Sequence, residues 1–297
     1  MKVLLTGSTG QLGNSIIDTK SENIDLITTN RDQLDLSNPE YCEEFILSEK
    51  PDWIINCAAF TAVDLAEKDL NLEKKINSFA PQAFANAINK TNGNLLQIST
   101  DFVFDGEQNH PYKPNQKRNP INQYGYSKAL GEKLIQQNTN NDHNTKILRT
   151  SWVISSYGKN FVLTMLKLHE NKDSINVVFD QIGAPTSAKY LAKVCWEIIN
   201  FGDIKKLPQI LHWSDSGVAS WYDIAVAVGD IGLELGLIKK KAHVFPIKTI
   251  NYPTQARRPK YSLLDTFDTC DFLKIKPNHW RMNLLEILKD YKNKTLR

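Results

Sequence analysis

An α/β fold, with a doubly wound parallel sheet and a smaller mixed C-terminal lobe, is what three features of this chain predict. Short apolar runs alternate with helix-like segments through the first half, a glycine-rich turn follows the first run, and the rhythm breaks down near residue 150. Strands alternating with helices imply βαβ units, and so parallel strands covered by helices on both faces. Crossovers of that kind are nearly always right-handed.

Val3-Leu4-Leu5 reads as the first strand, followed by the glycine turn and a helix over 14–20. Residues 24–28 and Trp53-Ile54-Ile55-Asn56-Cys57 give two more strands. Over 69–88, Leu70, Leu72, Ile76, Phe79 and Phe84 fall near helical spacing. A strand over 94–99, a helix over 124–136 and a strand over 146–149 complete the alternation. Beyond Ser151 tryptophan becomes common, at positions 152, 196, 213, 221 and 280, and strands are harder to place. This divides the chain into a first domain over 1–150 and a smaller lobe over 151–297, some of whose segments return to the first domain.

Composition narrows the function. Of 297 residues, 41% are hydrophobic and 23% charged, as expected of a soluble globular protein with a sizeable core. The 36 Lys plus Arg against 33 Asp plus Glu leave a formal charge of +3, too mild to imply nucleic-acid or membrane binding. No apolar run is long enough for a transmembrane span, and the N-terminal one is too short for a signal peptide. Cys42, Cys57, Cys195 and Cys270 lie far apart, as in a chain from a reducing cytoplasm. The six histidines are equally scattered, so no metal site is expected.

Gly7-Ser8-Thr9-Gly10-Gln11-Leu12-Gly13 is a GxxGxxG pattern between strand and helix. Gly7 permits the tight turn, Gly10 lets backbone approach a pyrophosphate, and Gly13 lets helix and strand pack closely. The helix N-terminus adds free N–H groups and the positive end of its dipole. Glycines occur in many strand-to-helix turns, but the place of this one, after the first strand of a βαβ chain, is where a dinucleotide site belongs. At the end of strand two stands Thr29-Asn30-Arg31-Asp32. Asn30 can bond a ribose, and Arg31 can pair with a 2′-phosphate unless Asp32 engages it first. NADPH is therefore favoured, with NADH use left open.

Tyr124 and Lys128 form a YxxxK motif, one turn apart on one helix face. A phenol with a pKa near 10 is a poor acid-base group at neutral pH; an adjacent ammonium lowers that value. Tyr and Lys at this spacing also occur on ordinary solvated faces. Ser99-Thr100-Asp101, at the carboxyl end of the preceding strand, singles the pair out. That is where ligands bind in such sheets, and Thr100 there can hydrogen-bond a carbonyl oxygen.

With these motifs the chain resembles the extended short-chain dehydrogenase/reductase superfamily, and within it the dTDP-4-dehydrorhamnose reductase family. GxxGxxG and YxxxK mark only the superfamily. The narrower likeness is carried by NCAAFTAVDLAE (56–67), STDFVFDG (99–106), PINQYGYSKALGEK (120–133), RTSWV (149–153), DQIGAPT (180–186) and ARRPKYSL (256–263), in matching order and spacing. The resemblance implies a Rossmann-like fold and reduction of the C4 keto group of dTDP-4-dehydro-L-rhamnose by NADPH in the cytoplasm, for cell-surface polysaccharide synthesis. It implies that Gly7, Gly10, Gln11, Leu12 and Gly13 cradle the pyrophosphate, that Asp35 and Leu36 flank the adenine, and that Ala58, Ala59 and Thr61 line the cofactor. Lys128 would hold the ribose, Tyr124 would give a proton to the C4 oxygen, and Thr100 would tune that transfer. Val63, Thr100, Asp101 and Trp152 would contact the sugar nucleotide. Arg257 and Arg258 would neutralise its diphosphate, or else form an ion pair at the domain boundary.

Some members of that family join subunits through magnesium held by glutamates. Here Ser15 and Lys189 stand at those positions, which implies a monomer or a metal-independent homodimer. A sugar-nucleotide dehydratase has a glutamate after the Thr-Asp pair, where this chain has Phe102. Two alternatives remain: an epimerase or another 4-ketoreductase, and a non-catalytic binding protein similar to the regulatory subunit of methionine adenosyltransferase.

Overall fold

The computed structural model describes residues 1–138 and 144–295. Its centre is β1 (Lys2–Thr6), which pairs in parallel with β2 (Asp25–Thr29) on one side and β3 (Trp53–Asn56) on the other. β4 (Asn94–Thr100) and β5 (Thr145–Thr150) extend the sheet beyond β3, also in parallel. Alternation along each strand sends side chains to opposite faces. Val3, Leu5, Ile55, Leu96 and Leu148 join one apolar layer; Leu4, Ile54, Leu95 and Ile147 join the other.

The connecting helices are α1 (Gln11–Asp18), α2 (Pro39–Glu49), α3 (Val63–Ala66), α4 (Leu70–Lys74), α5 (Ala80–Thr91) and α6 (Gln123–Asn138). α2 is not among the helices that periodicity predicts, because it buries only Cys42 and Ile46. Its start is set locally: Asn38 caps the Tyr41 amide, and Pro39 supplies the fixed φ of a first turn. The single helix expected over 69–88 is interrupted by a π turn at Lys75–Phe79. There the Asn77 side chain bonds both the N–H and the carbonyl of Phe60, and also the Ser127 hydroxyl. The turn thereby ties this helix to the start of α6.

The second half holds β6 (Val153–Ile154), α7 (Phe161–Asn171), β7 (Ser174–Val178), β8 (Ile182–Gly183), β9 (Thr186–Ser187) and α8 (Ala188–Ile199). After these come β10 (Ile210–Trp213), β11 (Ala219–Ser220), α9 (Trp221–Glu234), β12 (His243–Ile247), α10 (Phe267–Leu273) and α11 (Trp280–Thr295). β10 leaves its neighbours in sequence and adds to β5, giving the parallel order β10-β5-β4-β3-β1-β2. α8 likewise packs beside α1 over one face, while α2 and α5 cover the other. The remaining strands pair two by two, β11 with β8, β12 with β7 and β6 with β9. They surround a separate core of α7, α9 and α11, containing Val162, Ile224, Val228 and Leu284. Strand order reverses beside β1, so the carboxyl ends of β1, β3 and β4 open onto the crevice where such sheets hold ligands.

Candidate active site

β1 ends in a turn where, at two positions, no side chain larger than hydrogen fits. Gly7 has φ +67°, and a Cβ there would lie 2.7 Å from the Ala58 amide nitrogen. At Gly13 a Cβ would lie 2.2 Å from the Gly7 carbonyl oxygen. Gly10 begins α1 without a capping side chain, so the helix N-terminus presents bare N–H groups. This cradle of N–H donors fits a dinucleotide's diphosphate.

The turn lies at one end of a cleft of about 740 Å³. Gly7, Gly10, Gln11, Leu12 and Gly13 line it on the α1 side, and Asn30, Arg31, Asp35 and Leu36 line it beyond β2. Ala58, Ala59 and Thr61 form a wall after β3. Thr100, Asp101, Tyr124, Lys128 and Trp152 stand at the far end. Arg31 engages Asp35, its Nε 3.9 Å from the carboxylate, rather than Asp32, and its side chain is 73% exposed. Asp35 is held below the usual carboxylate range, first of all by the Ser37 amide. The Asn30 side-chain oxygen accepts from the amides of Asp32 and Gln33, which shapes the turn.

Three expected substrate residues stand apart from this cleft. Val63 opens α3, half-buried, and Arg257 is exposed, its carbonyl accepting from Asn122. Arg258 forms the boundary ion pair, Nη2 to Asp64 Oδ2 at 2.7 Å. It also lines a second, apolar cavity of about 570 Å³, with Phe102, Phe161, Trp221 and Tyr252. Trp152 borders both cavities. Its φ of +45° lies in the left-handed region, which costs a bulky residue on the order of 1–3 kcal/mol.

The electrostatics at this end of the cleft differ from the expectation in one respect. The Tyr124 phenol is pushed above its ordinary value, not below it, because burial outweighs the Thr100 hydrogen bond that pulls the other way. Lys128 Nζ donates to the Ile98 carbonyl at 2.7 Å, and burial brings its pKa down to about 8. Tyr124 is thus fully protonated at neutral pH. Thr100 Oγ1 donates to Asp101 Oδ1 at 3.0 Å, and buried Asp101, its other oxygen unpartnered, is raised to about 6.

Motif reading missed what lies behind Lys128. Glu132, one further turn along α6, is buried with Arg149 of β5, Nη2 to Oε2 at 2.7 Å. Ser99 donates to the same carboxylate at 2.6 Å, and Arg118 joins at 3.0 Å. The available signal was the spacing of four that continues Tyr124, Lys128, Glu132 along one helix face. Gly158 and Lys159, which also line the cleft, carry no sequence signal. Among the described residues no group of three or more His, Cys, Asp or Glu side chains is placed to hold a metal ion, and no helix is long and apolar enough to cross a membrane.

Comparison with known proteins places the chain in a family. The family described as RmlD substrate binding domain matches residues 1–293. A dTDP-4-dehydrorhamnose reductase from Aggregatibacter actinomycetemcomitans is 37% identical over 96% of this chain and 98% of its own. The crystal structure of a dTDP-4-dehydrorhamnose reductase from Clostridium acetobutylicum superposes with a TM-score of 0.89 at 36% identity, covering 98% of this chain and all of that one. The Bacillus anthracis enzyme, solved in complex with NADP, gives 0.88 at 31% identity, covering 97% and 99%. With a family match and relatives that both run nearly its whole length, the chain belongs to the dTDP-4-dehydrorhamnose reductase family of NADP-dependent oxidoreductases.

Proposed function

We propose that this protein reduces the C4 keto group of dTDP-4-dehydro-L-rhamnose to give dTDP-L-rhamnose, with NADPH as reductant and Tyr124 as proton donor. The observation that carries this reading is the meeting of Thr100, Tyr124 and Lys128 in the same cleft as the glycine turn and Arg31. NADPH bound along that cleft supplies a hydride to C4. Tyr124, protonated at neutral pH, gives its proton to the C4 oxygen as charge develops there, leaving a phenolate that solvent reprotonates. The Thr100 hydroxyl turns from Asp101 Oδ1 to donate to the same oxygen, so that two donors meet the developing charge. The Lys128 ammonium holds the ribose and stabilises the transient phenolate. Gly7, Gly10 and Gly13 seat the diphosphate of the cofactor, and Arg31 takes the 2′-phosphate in place of its long contact with Asp35. The apolar cavity takes the thymidine end, with Arg258 and exposed Arg257 beside the diphosphate and Val63 near the sugar.

A binding protein of similar fold does not need this constellation, and an epimerase regenerates its cofactor in every cycle. Loss of NADPH absorbance on adding dTDP-4-dehydro-L-rhamnose, one equivalent per product formed, separates the three. Consumption below stoichiometry, or none, overturns the reductase reading. A panel of nucleotide-linked 4-keto-6-deoxy sugars, each scored for product, then tests the substrate.

A further inference from the structure

The DQIGAPT segment and Trp221 make no contact with the reacting atoms in the mechanism above, though Trp221 lines the apolar cavity, and both meet at Trp152. The backbone of the segment holds the strained residue from one side. The Thr186 amide donates to the Trp152 carbonyl at 3.1 Å, and the Ser151 hydroxyl donates to the Ala184 carbonyl at 2.7 Å. Gly183 faces the indole so closely that a Cβ would stand 2.7 Å from Trp152 Cε2. On the other side Trp221 stacks on the same indole, centroids 3.8 Å apart and planes 12° from parallel. Phe161 packs against Trp221 from behind at 4.7 Å.

The two sides are mechanically one unit. β8 and β11 pair antiparallel, Gly183 opposite Ala219 and Ile182 opposite Ser220, so the residue that receives the ring and the residue that covers it are fixed by a single ladder. Ser220 then starts α9 with a reciprocal capping box to Asp223, which fixes the direction in which Trp221 leaves the strand. Gln181 sets the rotation of the covering ring: Trp221 Nε1 donates to its Oε1 at 3.1 Å. Gln181 Nε2 donates onward to Thr249 Oγ1 at 3.1 Å, and Thr249 to Asp180 at 2.7 Å. That chain reaches the segment bearing Tyr252 and Arg258 on the rim of the apolar cavity.

We propose that Trp221, oriented by Gln181, is a positioning residue that clamps Trp152 between the cofactor cleft and the apolar cavity, and so determines affinity for the sugar nucleotide. The proposal rests on the reductase reading for its substrate, though not for the clamp. A residue held at a strained backbone angle keeps it only where its surroundings over-determine it. Without the stack, Trp152 relaxes, and its indole no longer separates the two cavities in one fixed pose.

The test uses the full-length protein in three variants: Trp221→Ala, Trp221→Phe and Gln181→Leu. Two stacked indoles couple their electronic transitions, so circular dichroism of the unaltered protein carries an exciton couplet whatever its substrate is. The couplet is expected to vanish in Trp221→Ala and to weaken in Gln181→Leu. In NADPH-dependent turnover of dTDP-4-dehydro-L-rhamnose, KM should rise about five- to tenfold in Trp221→Ala, with kcat changed less than KM. Trp221→Phe should recover most of that loss, and the dissociation constant for NADPH should stay within about twofold in all three. An unchanged KM in a Trp221→Ala protein that has lost the couplet overturns the proposal, as does an equal fall in NADPH affinity. Should Trp221→Ala not fold, Gln181→Leu decides: a weakened couplet with raised KM supports the clamp, and a normal value of either one overturns it. A protein that shows the couplet but turns over no keto sugar overturns the reductase reading and leaves the clamp standing.

Discussion

Tyr124 and Lys128, the proposed proton donor and its neighbouring ammonium, are shifted in opposite directions. Burial raises the phenol, keeping the proton where a donor needs it, and lowers the ammonium to about 8. Lys128 loses its proton as pH rises through about 8, so kcat/KM should be full below that value and fall about tenfold per unit above it. The folded form penalises the ammonium, so Lys128 by itself makes the fold more stable as pH climbs from about 8 to its ordinary value of 10.5. Tyr124→Phe keeps the ring against Phe102, so folding and NADPH binding should survive while kcat falls roughly 10²–10⁴-fold. Retained kcat in that variant would assign the proton to another group or to water. Its effect should not add to that of Thr100→Val, because in the proposed mechanism both side chains serve one oxygen. At the other end of the cleft, Arg31→Ala should weaken NADPH binding by about 1–3 kcal/mol and leave NADH nearly untouched. Equal losses for both cofactors would tie Arg31 to the shared ribose instead.

At the scale of the element, α6 is positioned by groups that do no chemistry. Gly125 and Gly131 bring it within touching distance of Phe102 and Asn77, where a Cβ at either would lie 2.2 Å from a carbonyl oxygen. Glu132 then locks it to β5 through Arg149. The Arg118 and Arg149 charges and the Ser99 hydroxyl outweigh the cost of burial and bring the Glu132 carboxyl down to about 2. Glu132→Gln leaves Arg149 buried without its counter-charge, which should cost about 3–5 kcal/mol in urea denaturation. Glu132 also raises the pKa of Lys128, so the same variant should move the alkaline limb of kcat/KM to lower pH. A kcat/KM profile that stays in place would show that Glu132 braces the helix without reaching the site. The π turn after α4 belongs to the same bracing, since it is Asn77 that bonds Ser127.

At the scale of the molecule, the two lobes meet along α1 and α11 in a groove of about 340 Å³ that contains Ser15 and Lys189. Asp18, Glu286 and Asp290 line it too, but so do the ammonium groups of Lys189 and Lys294. Lys294 stands 3.2 Å above the Tyr157 ring, and Tyr157 in turn donates to Asp18 at 2.5 Å. Two cations already face these carboxylates, so a divalent ion gains little there. EDTA should therefore leave both activity and sedimentation behaviour unchanged. Magnesium-dependent association would refute this.

Much of this protein was legible from its sequence. Parallel strands buried on both faces read as short apolar runs, continuous in β1 and β3 and reduced to an apolar pair in β4 and β5, so all four are visible in the sequence alone. A phosphate-binding turn needs glycines at fixed intervals, and a helical acid–lysine pair needs a spacing of four, so the cofactor turn and the Tyr124–Lys128 pair are visible as well. α2 was not, since its start depends on Asn38 and Pro39 rather than on an apolar stripe. Tertiary structure alone decided the rest. β10 completes the sheet from some sixty residues beyond β5, a pairing that no local pattern records. Burial, which depends on every neighbouring element at once, decided that Tyr124 is raised although a lysine lies one turn away. Long-range packing put Trp221 against Trp152 and Arg258 against Asp64. Spacing specifies what lies on one strand or helix; which elements then face each other, and how dry the space between them is, follows only from the folded whole.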